Sequence, residues 1–216
     1  MPKLKPDTQR ARREHILDAA ERRFARSGFH RTTMQDICKE AEVSPGALYV
    51  YFDSKEALIA GISERDRAQF AERFAALANA PSVLHALEKL GNDYFVQEPA
   101  HKRIMCIEIG LESTRNARVG EIQRSVDTFV VESFRSLFQR LKDEGRIAPK
   151  LDIPDLVEVF TMIGDGLFWR RAIDPDFDPG TALNAALRAF AILLGEVASA
   201  DAPTTPSDPS AGEARS

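Results

Sequence analysis

Thr32-Thr33-Met34-Gln35-Asp36-Ile37-Cys38-Lys39-Glu40-Ala41-Glu42-Val43-Ser44-Pro45-Gly46-Ala47-Leu48-Tyr49-Val50-Tyr51-Phe52-Asp53-Ser54-Lys55-Glu56 decides the fold. Thr33 stands where an N-cap belongs, and Asp36 follows three residues later as an acidic stand-in for a capping box. Ser44 stands at a second cap, with Pro45 at the first helical position, where its missing N–H costs nothing. Asp53 or Ser54 opens a third helix, with Glu56 close behind. Three helix starts so close together describe a helix-turn-helix, the unit that places a short second helix in the DNA major groove.

Upstream, Lys3, Lys5, Arg10, Arg12 and Arg13 form a basic arm running into a helix predicted over 8–27, with Ile16, Leu17, Ala20 and Phe24 along one face and Gly28 as its stop. Downstream, the periodicity predicts a long amphipathic helix over 54–78, then helices over 82–97, 100–115, 118–144, 154–173 and 179–198. Pro81, Pro99, Gly145, Pro149, Pro154 and the run Asp174-Pro175-Asp176-Phe177-Asp178-Pro179 punctuate them. Leu183, Leu187, Phe190, Leu194 and Val197 recur at helical steps as a packing seam. No alternating strand pattern of useful length appears, so the predicted fold class is all-α: an N-terminal three-helix unit with the helix-turn-helix, then a larger helical domain. The expected domains are 1–55, which carries the helix-turn-helix, and a helical body over 56–198, with 199–216, which lacks bulky apolar residues, as a disordered tail.

The chain has 216 residues, 44% of them hydrophobic and 13 of them Phe, enough to bury a core. Its net charge of −4 conceals an asymmetry: residues 1–60 hold 11 Lys and Arg against 9 Asp and Glu, while the remainder holds 18 against 24. A basic head on an acidic body suits a protein of which one end meets phosphate. No stretch approaches the roughly 18 apolar residues of a membrane span, and the basic residues after Met1 precede no secretory apolar core, so no membrane partner is expected. Cys38 and Cys106 fit two free thiols and a cytoplasmic location.

The stretch Val43-Ser44-Pro45-Gly46-Ala47-Leu48-Tyr49, then Tyr51-Phe52 and Ser54-Lys55-Glu56-Ala57-Leu58, resembles the DNA-binding head of the TetR family of transcriptional regulators. Ile16-Leu17-Asp18-Ala19-Ala20, Phe24 through Phe29, and Thr32-Thr33 extend the resemblance over roughly residues 10–58. Many members carry glycine in the turn where this chain has Glu42. The resemblance implies a homodimer that binds a double-stranded, palindromic operator and is released by a small-molecule effector; it also implies phosphate contacts from Thr33 and Lys55.

Within the recognition helix, Ser44, Pro45, Gly46 and Ala47 form a small N-terminal end that DNA can approach closely, and the Ala47 methyl suits a thymine methyl. Tyr49 and Tyr51 are expected to reach phosphates, the alternative being that they pack the three-helix core, as Leu48 and Phe52 do. Lys39 and the arm arginines are either DNA contacts or solvated charge.

The resemblance implies that the body, 56–198, binds the effector and supplies the dimer interface, and its apolar residues suit a largely apolar effector. Phe95, Met105, Ile109, Phe129, Phe134, Met162, Phe168 and Trp169 are the candidate lining, each also readable as ordinary core, and Met162, Phe168 and Trp169 cannot all share one narrow stripe. Gly164 and Gly166 flank Asp165 inside a helix, which suggests close backbone approach at a dimer seam. There Asp165 would pair with Arg170 or Arg171 of a second copy, cap locally, or meet the effector.

No metal, cofactor or catalytic residue is expected. His15, His30, His85 and His101 are scattered, His101 and Cys106 diverge on their helix, and no phosphate loop or nucleophile elbow appears. Two other classes stay open: an activating or architectural DNA-binding factor with a solid body, and a protein-interaction module with an exposed apolar groove.

Overall fold

The computed structural model describes residues 6–195. They form α1 (Pro6–Ser27), α2 (Met34–Glu40), α3 (Pro45–Tyr49), α4 (Lys55–Ala78), α5 (Val83–Gly91), a π-helical segment (Asn92–Gln97), α6 (Ala100–Ser113), α7 (Ala117–Asp143), α8 (Ile153–Ile173) and α9 (Pro179–Leu194), with no strand among the described residues. The fold is all-α. Lys3, Lys5, Val197 and the segment 199–216 lie outside the described residues.

Local chemistry sets the boundaries. Thr33 caps α2 in a full capping box with Asp36, Ser44 caps α3 ahead of Pro45, and Ser54, of the two candidates, caps α4. Asn116, Asp152 and Asp178 cap α7, α8 and α9. Gly28 closes α1 at φ 75°, its N–H donating to the Phe24 carbonyl at 2.8 Å. α9 stops at Leu194 rather than at 198, because Gly195 turns left-handed at φ 54° and lies against the Ala148 carbonyl.

The single helix expected over 82–97 divides after Gly91. Leu183 of α9 packs so closely there that a Cβ on Gly91 would stand 2.6 Å from its Cδ1, and the chain continues with the wider π turn. That turn carries Tyr94 and Phe95 toward the interior.

Two apolar clusters result. The first joins Ile16, Leu17, Ala20 and Phe24 of α1 to Ile37, Leu48, Phe52, Leu58 and Ile62, and takes Met105 and Ile109 from α6 and Val119 from α7. The second is built on rings: Phe134 and Phe160 stand 4.3 Å apart between centroids, Phe160 and Phe190 4.7 Å, and Phe70 and Phe74 continue the array on α4. α4 belongs to both clusters, with Leu58, Ile59 and Ile62 in the first and Phe70 and Leu77 in the second. α6 wedges against α1, so the head rests on the body as well as on α4.

Candidate DNA-reading surface and effector cavity

α3 is fixed from beneath. Leu48 is fully buried and Phe52 nearly so, while Ser44, Pro45 and Gly46 face solvent. The Ser44 hydroxyl accepts from the Ala47 N–H at 3.2 Å, holding the helix start, and Ala47 is half-buried. A Cβ on Gly46 would meet no heavy atom within 4 Å, so packing inside the chain does not require glycine there. Tyr49 is 54% exposed; Tyr51 is half-buried against the first cluster. Val50 is 78% exposed between them.

The surrounding cations divide into tied and free. Arg22 and Arg26 pair with Glu40, Arg23 lies 3.7 Å from Asp36, and Arg13 binds Glu64 at 2.8 Å and covers the Phe52 ring. Arg10, Arg12 and Lys39 are exposed and form no ion pair among the described residues. Thr33 is exposed, and its hydroxyl is engaged in the α2 cap. Lys55 is turned back on the chain: its ammonium donates to the Phe29 carbonyl at 2.6 Å and lies 4.1 Å from that ring's centroid. Burial lowers its pKa, with Glu56 and Glu112 opposing.

The body holds a cavity of about 320 Å³ between α4, α5, the π turn, α7, α8 and α9. Phe70, Tyr94, Phe95, Phe129, Phe134, Phe160, Phe168 and Phe190 give it aromatic walls, with Leu87, Leu90, Leu183 and Leu187 between them. Of the expected lining, Phe95, Phe129, Phe134 and Phe168 are there. Met105 and Ile109 are not: they sit i, i+4 on the face of α6 that packs against α1, inside the head cluster. Cys106, one step round that helix, packs against the edge of the head cluster and also lines the cavity. Met162 and Trp169 are also absent from the lining, lying 63% and 51% exposed on the outward stripe of α8. Periodicity shows that a helix side is apolar, not which neighbour covers it. Phe70, Tyr94, Phe160 and Phe190 were missed for the same reason.

Polar groups punctuate the cavity. Burial pushes the Cys106 thiol and the Tyr94 hydroxyl up to about 12 each. Asp165 also lines it, its carboxyl raised by burial and by Asp127 and Glu158. Close backbone approach at its flanking glycines is not found within the chain: a Cβ on Gly164 would meet only the Phe95 ring, at 3.8 Å, and one on Gly166 nothing. Asp66 lies at the wall 3.0 Å from Lys102, which also binds Glu98 at 3.2 Å. Its neighbour Arg65 reaches the other way, holding Asp18 at 2.7 Å, Glu14 at 3.4 Å and Glu21, all on α1. Adjacent residues of α4 thus touch the cavity and the head. No cluster of three or more metal-ligating side chains occurs among the described residues.

Comparison with known proteins agrees with this geometry. Residues 16–62 match the model of the bacterial regulatory proteins of the tetR family. The HTH-type transcriptional regulator UidR of Escherichia coli K12 is 31% identical over 144 residues, 65% of this chain and 71% of that protein. The chain belongs to the TetR family of transcriptional regulators. Salmonella enterica GusR superposes on it with a TM-score of 0.71 at 27% identity, over 85% of this chain and 95% of that one. FadR from Bacillus subtilis, solved in complex with stearoyl-CoA, shares the fold with a TM-score of 0.70 at 20% identity, over 84% and 98% of the two chains. Members of this family are DNA-binding regulators and not enzymes. No described helix is long and apolar enough to cross a membrane.

Proposed function

We propose that this protein is a homodimeric repressor that reads a palindromic operator through α3 and is released by a largely apolar small molecule. The observation that carries the reading is the open end of α3: Ser44, Pro45, Gly46 and Tyr49 face solvent above a fully buried Leu48. Small residues at a capped helix start let DNA come close to backbone N–H groups, and Ala47 and the exposed tyrosine add base and phosphate contacts. Tyr51 supports from the flank. Thr33 and Lys55 meet phosphate at neighbouring helix starts once DNA competes for their present partners. Residues 1–55 form the DNA-binding unit and 56–198 the effector-binding and dimerising one, acting in the cytoplasm, where the chromosome lies.

The second copy covers α8 and α9. Met162, Trp169 and Ile173 on α8 and Ile192 on α9 are exposed, with Gly166, Ala185 and Ala189 beside them. Small residues on such a face allow helices of two copies to pack closely, and two-fold pairing sets two copies of α3 against two half-sites. The effector occupies the aromatic cavity. FadR's stearoyl-CoA complex supports the view that this fold accommodates a ligand. α4 is the lever, since Asp66 and Phe70 line the cavity and Arg65 holds α1. A ligand that favours one setting of α4 changes the spacing of the two heads, and reciprocity requires DNA to weaken ligand binding by the same factor.

The test is a gel shift with the DNA flanking the protein's own gene at near-physiological salt. The wild type should give a shift that survives competitor DNA, and Tyr49→Ala and Gly46→Leu should abolish it while the helical spectrum is kept. Binding that both variants share and that added salt removes would reduce the interaction to non-specific phosphate attraction and overturn the α3 assignment.

A further inference from the structure

Arg103 of α6 and Arg171 of α8 are the least explained charges among the described residues. Arg103 is only 6% exposed, and its Nη1 donates to the Glu98 carbonyl. Arg171 is half-buried and lies within electrostatic reach of Arg103, across the packed α6–α8 pair. The Nε of each is shielded from solvent and has no hydrogen-bond partner. Arg23 and Arg65 also carry a shielded Nε, but each has carboxylates at its guanidinium, whereas no described carboxylate forms an ion pair with Arg103 or Arg171. Glu98 offers Arg103 its field and its carbonyl, while its own carboxylate is committed to Lys102 at 3.2 Å. A buried guanidinium within reach of a second, half-buried one is unfavourable unless an anion joins them.

Neither arginine is in the cavity wall, but each lies about one helical turn from residues that are, Arg103 three residues before Cys106. Arg171 lies one helical turn beyond Leu167 and Phe168, both in the cavity wall, and Glu98 lies three residues beyond Phe95, also in the wall. Arg67, a cation of the lining, is already occupied by the Ser125 hydroxyl at 3.0 Å and the Phe129 ring. Asp66 is neutralised by Lys102. Guanidinium forks match the paired oxygens of a carboxylate or phosphate.

We propose that Arg103 and Arg171 form the anionic subsite of the effector site, taking the carboxylate or phosphate group of a ligand whose apolar part fills the aromatic cavity. The inference rests on the effector reading above and adds the chemical class: an amphiphilic acid.

Calorimetric titration of the full chain with decanoate, decyl phosphate, decanol and decylamine, each below its micellar concentration, tests both. Decanoate or decyl phosphate should bind at least about tenfold more tightly than decanol and decylamine, and which of the two does so identifies the head group. Arg103→Gln and Arg171→Gln should each bring the acid to the affinity of decanol while leaving decanol unchanged. If Arg103→Gln does not fold, Arg171→Gln, at a half-buried position, carries the comparison. Equal binding of acid and alcohol by the wild type, or an acid preference that survives both substitutions, would overturn the subsite and leave the cavity standing. Failure of all four compounds to bind would overturn the effector reading and the subsite with it. If the substitutions change only dimer dissociation in light scattering, the arginines face carboxylates of a second copy and the proposal is wrong.

Discussion

Glu42 carries the local strain of the turn between α2 and α3: its φ of 50° places a residue with a Cβ in the left-handed region. That conformation costs an L-residue about 1 to 2 kcal/mol, partly offset by the greater entropy glycine loses on folding. Glu42→Gly should therefore stabilise the protein by about 0.5 to 1 kcal/mol, seen as a rise of a few degrees in melting temperature. A fall would show that the Glu42 side chain contributes more than its backbone costs. At the preceding helix, the Thr33 hydroxyl accepts from the Asp36 N–H at 3.1 Å, and the Asp36 carboxylate accepts from the Thr33 N–H at 3.0 Å and from its hydroxyl at 2.7 Å. Thr33→Ala should cost about 1 kcal/mol in chemical denaturation. The Thr33 hydrogen bonds hold the Asp36 carboxyl below its ordinary range, so its stabilising contribution is present above about pH 4 and lost as the pH falls further. Thr33→Ala should accordingly lose part of its disadvantage in acid melts, the part from the hydroxyl bond to the carboxylate, while the Asp36 N–H bond to the hydroxyl does not titrate. A penalty unchanged at low pH would contradict the reciprocal cap. Caps of this kind were legible in the sequence because both partners lie within four residues of each other.

Helices were legible for the same reason, and their partners were not. Met105, Cys106 and Ile109 lie within five residues of α6, yet Met105 and Ile109 are buried in the head cluster while Cys106 packs against its edge and also lines the cavity. Met162, Asp165 and Trp169 look like interior residues within an apolar run and instead mark the outer stripe and rim of α8. The π turn that continues α5 begins where Leu183, about ninety residues away, packs on Gly91, a contact no local pattern carries. Long-range ion pairs were equally hidden, above all Arg65, which joins α4 to three carboxylates of α1. Its guanidinium side chain is 13% exposed, so removal strands Glu21, which is 4% exposed, without its cation. Arg65→Met should cost about 3 kcal/mol or more in urea denaturation. It should also weaken the response of operator binding to effector, because α1 would then be tied to α4 by the apolar contacts of Leu58, Ile59 and Ile62 and by the Arg13–Glu64 pair. If stability falls while effector release is undiminished, coupling runs instead through the contact of α6 with α1.

At the scale of the whole molecule, one protomer accounts for its core but not for its surface. Apolar side chains at Met162, Trp169, Ile173 and Ile192 stay in water, and Gly166 lies in the α8 stripe although nothing in its own chain needs the space. A second copy laid across α8 and α9 would bury that face. The two heads would then bind one operator as a linked pair, the second engaging at a high effective concentration. Gly166→Glu sets a charge and a long side chain in the middle of this face without touching cavity or head, since a Cβ there meets nothing within 4 Å. The variant should keep its helical spectrum and melt much as the wild type does at low concentration, yet scatter light as a monomer. Its operator affinity should fall by on the order of 10² to 10⁴, the usual advantage of linkage, while any affinity for a single half-site remains. A variant that stays dimeric would move the seam to another face. One that is monomeric but binds the full operator undiminished would mean that the two heads act independently, and ligand control through their spacing would then have no physical basis.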